Sequence, residues 1–134
     1  MSNVVNWKKI AGYAAALIFA EILVGFIQGG AEAGAGLDAA KRALVQSMLL
    51  SLAFSTLIFS VMTVRQDHRP FLHATLALLL AFVFSVGLGA ILPAWLTYTP
   101  LILAVLEWFT LVVGLIIGSS VGRYLRLRRV RADA

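Results

Sequence analysis

The chain has 134 residues, of which 61% are hydrophobic and only 13% are charged, and its formal net charge is +5. Soluble domains usually carry about a quarter charged residues, so this composition excludes an ordinary soluble domain. The chain has no cysteine, which excludes disulfides and thiolate metal sites. Its positive charge is not accompanied by any recognisable nucleic-acid-binding motif, so we predict no nucleic-acid partner.

Four long apolar runs account for most of the chain. Each has enough residues to cross a hydrocarbon layer of about 30 Å as a helix that rises 1.5 Å per residue. The sequence therefore predicts an all-α membrane protein, a single four-helix transmembrane bundle with the lipid bilayer around it. The expected spans are Ile10–Gln28, Leu44–Val64, Phe71–Leu92 and Leu101–Gly122, and a basic tail over 123–134 follows them.

The first run also has features of a cleaved signal peptide, since two lysines precede it and Ala31-Glu32-Ala33 has the small-residue pattern of a cleavage site. It is longer than the usual apolar core of a signal peptide, however, and it contains Glu21. We therefore predict a retained helix.

The connections between the runs carry turn and interface signals. The glycine-rich stretch 29–41 favours a flexible turn, within which Asp38 is expected to cap a helix that continues into span two. The short second connection predicts that spans two and three are antiparallel neighbours, with Pro70 in the first turn of span three. Trp95 and Tyr98 in the third connection suit an aromatic belt at the membrane surface.

Positive charge is distributed unequally between the two sides of the four predicted spans. Of the 11 Lys and Arg residues, only Lys41 and Arg42 fall on the side of the first and third connections. By the positive-inside rule, both termini should be cytoplasmic. We predict a multi-pass protein of a bacterial-type inner (plasma) membrane. The other basic residues all fall on the side of the termini: Lys8, Lys9, Arg65, Arg69, Arg123, Arg126, Arg128, Arg129 and Arg131.

Small residues recur at four-residue intervals on two of the predicted helices, which allows another backbone to approach closely. These stripes are expected to serve helix packing within one monomer, or else self-association into an oligomer. Span four carries Gly114, Gly118 and Gly122, and span two carries Ser47, Ser51 and Ser55.

Glu21 and Glu107 are the two acidic residues inside the predicted spans. An ionised carboxylate at the bilayer centre costs about 2.5–3.5 kcal/mol on insertion scales, so both side chains are expected to face the bundle interior. Each lies roughly 10 Å below the outer boundary at 1.5 Å per residue. If spans one and four are neighbours, the two groups could share a proton or be bridged by a cation.

A second interpretation of the two glutamates remains open. A protonated glutamate can hydrogen-bond Thr110, Gln28 or a backbone carbonyl and so hold helices together, or it can bind a charged residue of a partner protein's helix. The sequence thus leaves two roles for these four residues, proton or cation handling on the one hand and structural or partner binding on the other.

The remaining candidate sites are weaker. His68 and His73 lack a metal-ligand spacing and are expected to be a solvated pair at the interface. Arg123, Arg126, Arg128, Arg129 and Arg131 are dense enough to bind anionic lipid headgroups at about 1 kcal/mol each, although retention of the tail in the cytoplasm explains them equally well. No nucleophile elbow, Walker A sequence or haem motif is found, so we expect neither an enzyme nor a bound cofactor or metal.

The stretch from Ala15 to Glu21 is similar to the first helix of the small multidrug resistance transporters, in which a membrane glutamate binds proton and drug in turn. The similarity covers about a dozen residues, and the strong charge bias, the second glutamate and the basic tail depart from that family's pattern. We do not assign the chain to it.

Two functional hypotheses follow. The first is a non-enzymatic accessory subunit or self-associating component that acts on a membrane-protein partner or a second copy through its helix faces. The alternative is a small proton- or cation-coupled transporter or channel that uses Glu21 and Glu107.

Overall fold

The computed structural model describes residues 6–32, 36–66, 69–92 and 101–132, with the side chains of 28–32, 101 and 132 excepted. Four α-helices fill almost all of these segments, which confirms the predicted all-helical architecture. They are α1 (Trp7–Glu32), α2 (Leu37–Arg65), α3 (Pro70–Ile91) and α4 (Leu101–Ala132).

Two helices extend well beyond the predicted apolar runs. α2 begins at Leu37, as expected for a helix that starts before span two, but Gly36 is its N-cap and no side chain caps it. The prediction that Asp38 caps this helix is therefore wrong, because Asp38 already lies in the first turn. α4 continues through the basic tail to Ala132. Arginine and leucine both favour helix, so nothing in this segment stops the helix at Gly122.

Each of the four helices has a segment that is long and apolar enough to cross a membrane. Large apolar side chains are exposed along all of them, for example Phe19, Leu49, Val83 and Ile116. A soluble monomer does not expose apolar surface on this scale. The exterior of the bundle therefore matches a lipid environment.

The contacts between helix ends fix the relative directions of the helices. The Asn6 backbone N–H, next to the start of α1, donates to His73 Nε2 near the start of α3 (3.3 Å). Near the end of α4, Arg126 donates to the Gln66 carbonyl that follows α2 (2.7 Å). α1 and α3 therefore run in one direction, and α2 and α4 in the other. We call the end where α1 and α3 begin the basic end, and the other the opposite end.

α2 and α4 form the most extensive helix pair in the bundle. A Cβ atom built on Gly122 would lie 2.6 Å from the Ser60 carbonyl oxygen and 2.7 Å from Thr63 Cβ, and one on Gly118 would meet the Thr56 carbonyl. Any side chain at these glycines would push the two helices apart. The glycine stripe thus serves packing inside one monomer, the first of the two predicted uses.

The hydrophobic core lies toward the basic end. It joins all four helices and is formed by Ile10, Ala14, Leu17, Phe59, Met62, Ala74, Ala77, Ala81 and Leu115. Toward the opposite end the packing is looser. Every residue of 82–92, in the second half of α3 and just after it, is exposed. The bundle is therefore closed at the basic end and more open at the other.

Candidate functional site

Glu21 lies on α1 where the packing begins to loosen, four residues beyond the core residue Leu17. Its side chain is partly buried, and its Oε2 atom accepts a hydrogen bond of 2.9 Å from the Ser51 hydroxyl of α2. The expectation that Glu21 faces the bundle interior agrees with this contact. Ser51 itself is buried, with 4% of its surface exposed.

The Glu107 carboxyl group of α4 lies close enough to Glu21 for a direct electrostatic interaction. α1 and α4 have the fewest contacts of any helix pair, so this meeting does not come from two helices packed along their length. Instead, both helices pack on α2, and the two carboxyl groups meet beside Ser51.

Glu107 is exposed, whereas its position on the glycine stripe predicts a side chain that faces inward. The helical face is as expected, since Glu107 reaches Glu21. The exposure of the Glu107 side chain differs from the prediction. The surrounding part of α4 has few neighbours in other helices, and Val105 and Phe109 are exposed as well. The Glu107 side of the carboxylate pair is therefore not covered by the other described helices.

An aromatic contact lies next to the pair. The ring of Trp108 meets that of Phe82 in α3 edge to face, with 4.8 Å between the ring centroids. Trp108 thus packs against another helix. It joins α3 to α4 near the level of Glu107.

Of the two residues proposed as hydrogen-bond partners of the glutamates, only Thr110 has a described side chain. Thr110 is buried, but its hydroxyl donates to the Leu106 carbonyl of its own helix (2.8 Å). It lies one turn from Glu107. The side chain of Gln28 lies outside the described residues, as do Trp95, Tyr98 and His68.

The serine stripe of α2 is buried, and its members differ in their bonding. Ser47 donates to the Leu44 carbonyl (2.7 Å) and Ser55 to the Ser51 carbonyl (2.7 Å), both within the helix. Only Ser51 turns its hydroxyl to another helix. Ser55 also lies directly against Gly114. Ser47 and Ser55 thus supply small volume for packing, and Ser51 supplies a polar contact to the carboxylate pair.

His73 differs from the prediction of a solvated residue, since only 1% of its surface is exposed. Nδ1 lies 3.1 Å from the Arg69 carbonyl oxygen, and Nε2 accepts from the Asn6 backbone N–H. These contacts define a neutral imidazole with its proton on Nδ1. His73 lies three residues after Pro70, in the first turn of α3. This position in the sequence indicates a residue at a helix end, where a side chain can bind backbone groups. The partner, 67 residues away, could not be identified from the sequence.

The five arginines of the tail are presented along one continuous helix rather than a flexible segment. Arg126 is held against the end of α2 by its bond to the Gln66 carbonyl. Arg128 stacks over the Tyr124 ring, 5.0 Å from its centroid. Arg123, Arg129 and Arg131 are exposed.

Comparison with protein-family models, with curated proteins and with solved structures gave no match to this chain. The class of this protein is therefore inferred from its own sequence and structure. Four span-length apolar helices with an apolar exterior define a small multi-pass integral membrane protein.

Proposed function

We propose that this protein is a small non-enzymatic transporter or channel in which Glu21 and Glu107 bind a proton or a small cation. The observation that carries the proposal is the meeting of two membrane carboxyl groups, from helices that scarcely touch, beside the Ser51 hydroxyl. Acidic groups at this depth are costly, and those that occur in membrane proteins commonly mark ion pathways or proton relays.

The donor set supports a proton or a hard cation as the bound species. Two carboxyl groups and a hydroxyl provide only oxygen atoms, which suit protons and cations such as Na⁺ better than soft transition metals. Exposure of Glu107 supports access to the pair from the loosely packed half of the bundle, while the apolar core supports a barrier between the pair and the basic end. We assign the open side to the extracytoplasmic face, in accordance with the positive-inside rule.

The test is ion flux through liposomes that contain the purified protein. We expect the protein to carry protons or Na⁺ when a potential is imposed, and Glu21→Gln or Glu107→Gln to reduce the flux to that of protein-free liposomes. Glutamine keeps the size and hydrogen-bonding capacity of the side chain but cannot bind a proton or neutralise a cation.

Asp38→Asn is the matched control, because it removes one carboxylate from an exposed position in the first turn of α2. This variant should keep the full flux. Circular dichroism and gel filtration would establish that all three variants retain their helices and their size. The proposal is contradicted if both glutamine variants conduct as well as the parent protein, or if the parent carries no ion.

A second function, that of an accessory subunit, is favoured by a separate feature. An apolar groove of about 500 Å³ runs between α1 and α3 and is lined by small residues such as Ala11 and Ala15 together with Phe84. A partner helix could approach closely on such a surface. A protein cross-linked at this groove in native membranes, combined with an absence of ion flux, would favour the accessory role.

A further inference from the structure

A cavity of about 450 Å³ lies at the basic end, between the end of α2, the start of α3 and the tail of α4. Two arginines, Arg123 and Arg126, line it together with Thr63, and none of the described residues that line it is acidic. It is distant along the chain from the carboxylate pair and has no part in the proposed transport function.

Thr63 gives the cavity an unused polar group. Its side chain is 1% exposed, and its Oγ1 atom has no hydrogen-bond partner among the described residues. A buried hydroxyl that lacks a partner is destabilising, so native structures seldom leave one in this state. Thr63 can donate its hydroxyl proton to an acceptor bound in the cavity.

The start of α3 adds a favourable field for an anion. Pro70 and Phe71 line the cavity, and the helix they begin has no side-chain cap. The first-turn N–H groups of an uncapped helix are unpaired within the helix and carry a partial positive charge. The partial negative charge at the C-terminal end of α2 would repel an anion. The Gln66 carbonyl that follows α2, however, already accepts a hydrogen bond from Arg126.

We propose that this cavity binds the phosphate group of an anionic phospholipid, with Arg123 as the main charge contact and the Thr63 hydroxyl as a donor. Guanidinium groups match phosphate oxygens in geometry and charge. A lipid is favoured over a soluble phosphate because Phe71, Leu127 and Val130 form the apolar part of the wall, where acyl chains can lie. The site is thus more specific than general attraction of a basic tail to a charged membrane.

The experiment measures binding of phosphatidylglycerol to the purified protein in detergent by native mass spectrometry. We expect phosphatidylglycerol to bind and phosphatidylcholine to bind much more weakly. Loss of a charge-assisted contact in Arg123→Gln should weaken the affinity about tenfold, and Thr63→Val, which removes only the hydroxyl, about fivefold. Arg129→Gln is the matched control, since Arg129 is an exposed arginine of the same helix that does not line the cavity.

Three outcomes would overturn the proposal. Equal losses in Arg123→Gln and Arg129→Gln would mean that only the net charge of the tail matters. Unchanged affinity in Thr63→Val, together with unchanged affinity in Arg123→Gln, would remove the cavity from the binding site. Inorganic phosphate that displaces the lipid at equal concentration would identify a soluble phosphate as the ligand instead.

Discussion

At the scale of single residues, His73 shows how a polar side chain can be accommodated in an apolar bundle. Both ring nitrogens are used, one toward the Arg69 carbonyl and one toward the Asn6 N–H. The imidazole thereby connects the segment before α1 to the start of α3. Arg69 adopts a left-handed backbone conformation (φ 48°), which shows how sharply the chain turns into α3 at this point.

Replacement of His73 by leucine should therefore destabilise the basic end. The substitution leaves the Asn6 N–H without its partner and removes the ring's bond to the Arg69 carbonyl, which keeps only the backbone N–H of residue 73. Each lost hydrogen bond contributes about 1 kcal/mol. Thermal unfolding in detergent should show a lower midpoint for His73→Leu. Thr75→Ala serves as control, because Thr75 bonds only to the Phe71 carbonyl of its own helix at an exposed position. Equal midpoints for the two variants would contradict the connecting role of His73.

At the scale of helices, the parallel pair of α2 and α4 depends on glycine where the backbones approach most closely. A Cβ atom on Gly118 would lie 2.9 Å from Phe59 Cβ and 3.1 Å from the Ser60 nitrogen, and would also meet the Thr56 carbonyl. Backbone atoms cannot move aside as the end of a flexible side chain can. In a lipid environment, such close packing is a main source of helix association.

Two glycine substitutions should therefore have opposite effects. Gly118→Ala introduces overpacking and should lower the free energy of unfolding by about 1–3 kcal/mol. Gly89→Ala, in an equally helical position with no neighbour within 4 Å, should raise it by about 0.5–1 kcal/mol through helix propensity. Denaturation in mixed micelles, followed by circular dichroism, would measure both. A neutral Gly118→Ala would mean that α2 and α4 do not pack as described.

A bulky substitution of a stripe glycine, such as Gly118→Leu, does not test self-association. Because Gly118 lies within the monomer, a change in assembly caused by this variant would follow from a damaged bundle and would not identify an oligomer interface. The exposed groove between α1 and α3 is the more informative place to probe for partners.

At the scale of the whole molecule, the asymmetry between the two ends relates the fold to the proposed transport. The basic end contains the apolar core and all the arginines except Arg42, whereas the carboxylate pair lies where the helices separate toward the opposite end. This arrangement predicts an orientation with the basic end in the cytoplasm, because positively charged segments are retained there.

The absence of cysteine in the sequence allows a direct test of this orientation. Arg131→Cys, at the basic end, should resist a membrane-impermeant maleimide in intact cells and react after the membrane is permeabilised. Leu37→Cys, at the exposed start of α2, should react in intact cells. Labelling of Arg131→Cys from outside would reverse the orientation and, with it, the side from which an ion enters.

The four span-length apolar helices, the polar positions within them and the charge asymmetry could be predicted from the sequence. These features depend on composition and on spacing along one helix, which are local quantities. The helix ends could not be read from the apolar runs, since the arginine-rich tail of α4 and the start of α2 are helical beyond them.

Which helix faces meet could not be predicted from the sequence and is seen only in the packed bundle. The contact of Glu21 with Glu107 depends on both α1 and α4 packing on α2, and no feature of either glutamate's own helix encodes that arrangement. The exposure of Glu107, the burial of His73 and the cavity beside Arg123 likewise depend on neighbours distant in the sequence. A helical period specifies the direction in which a side chain points, whereas its contacts depend on the packing of the other helices.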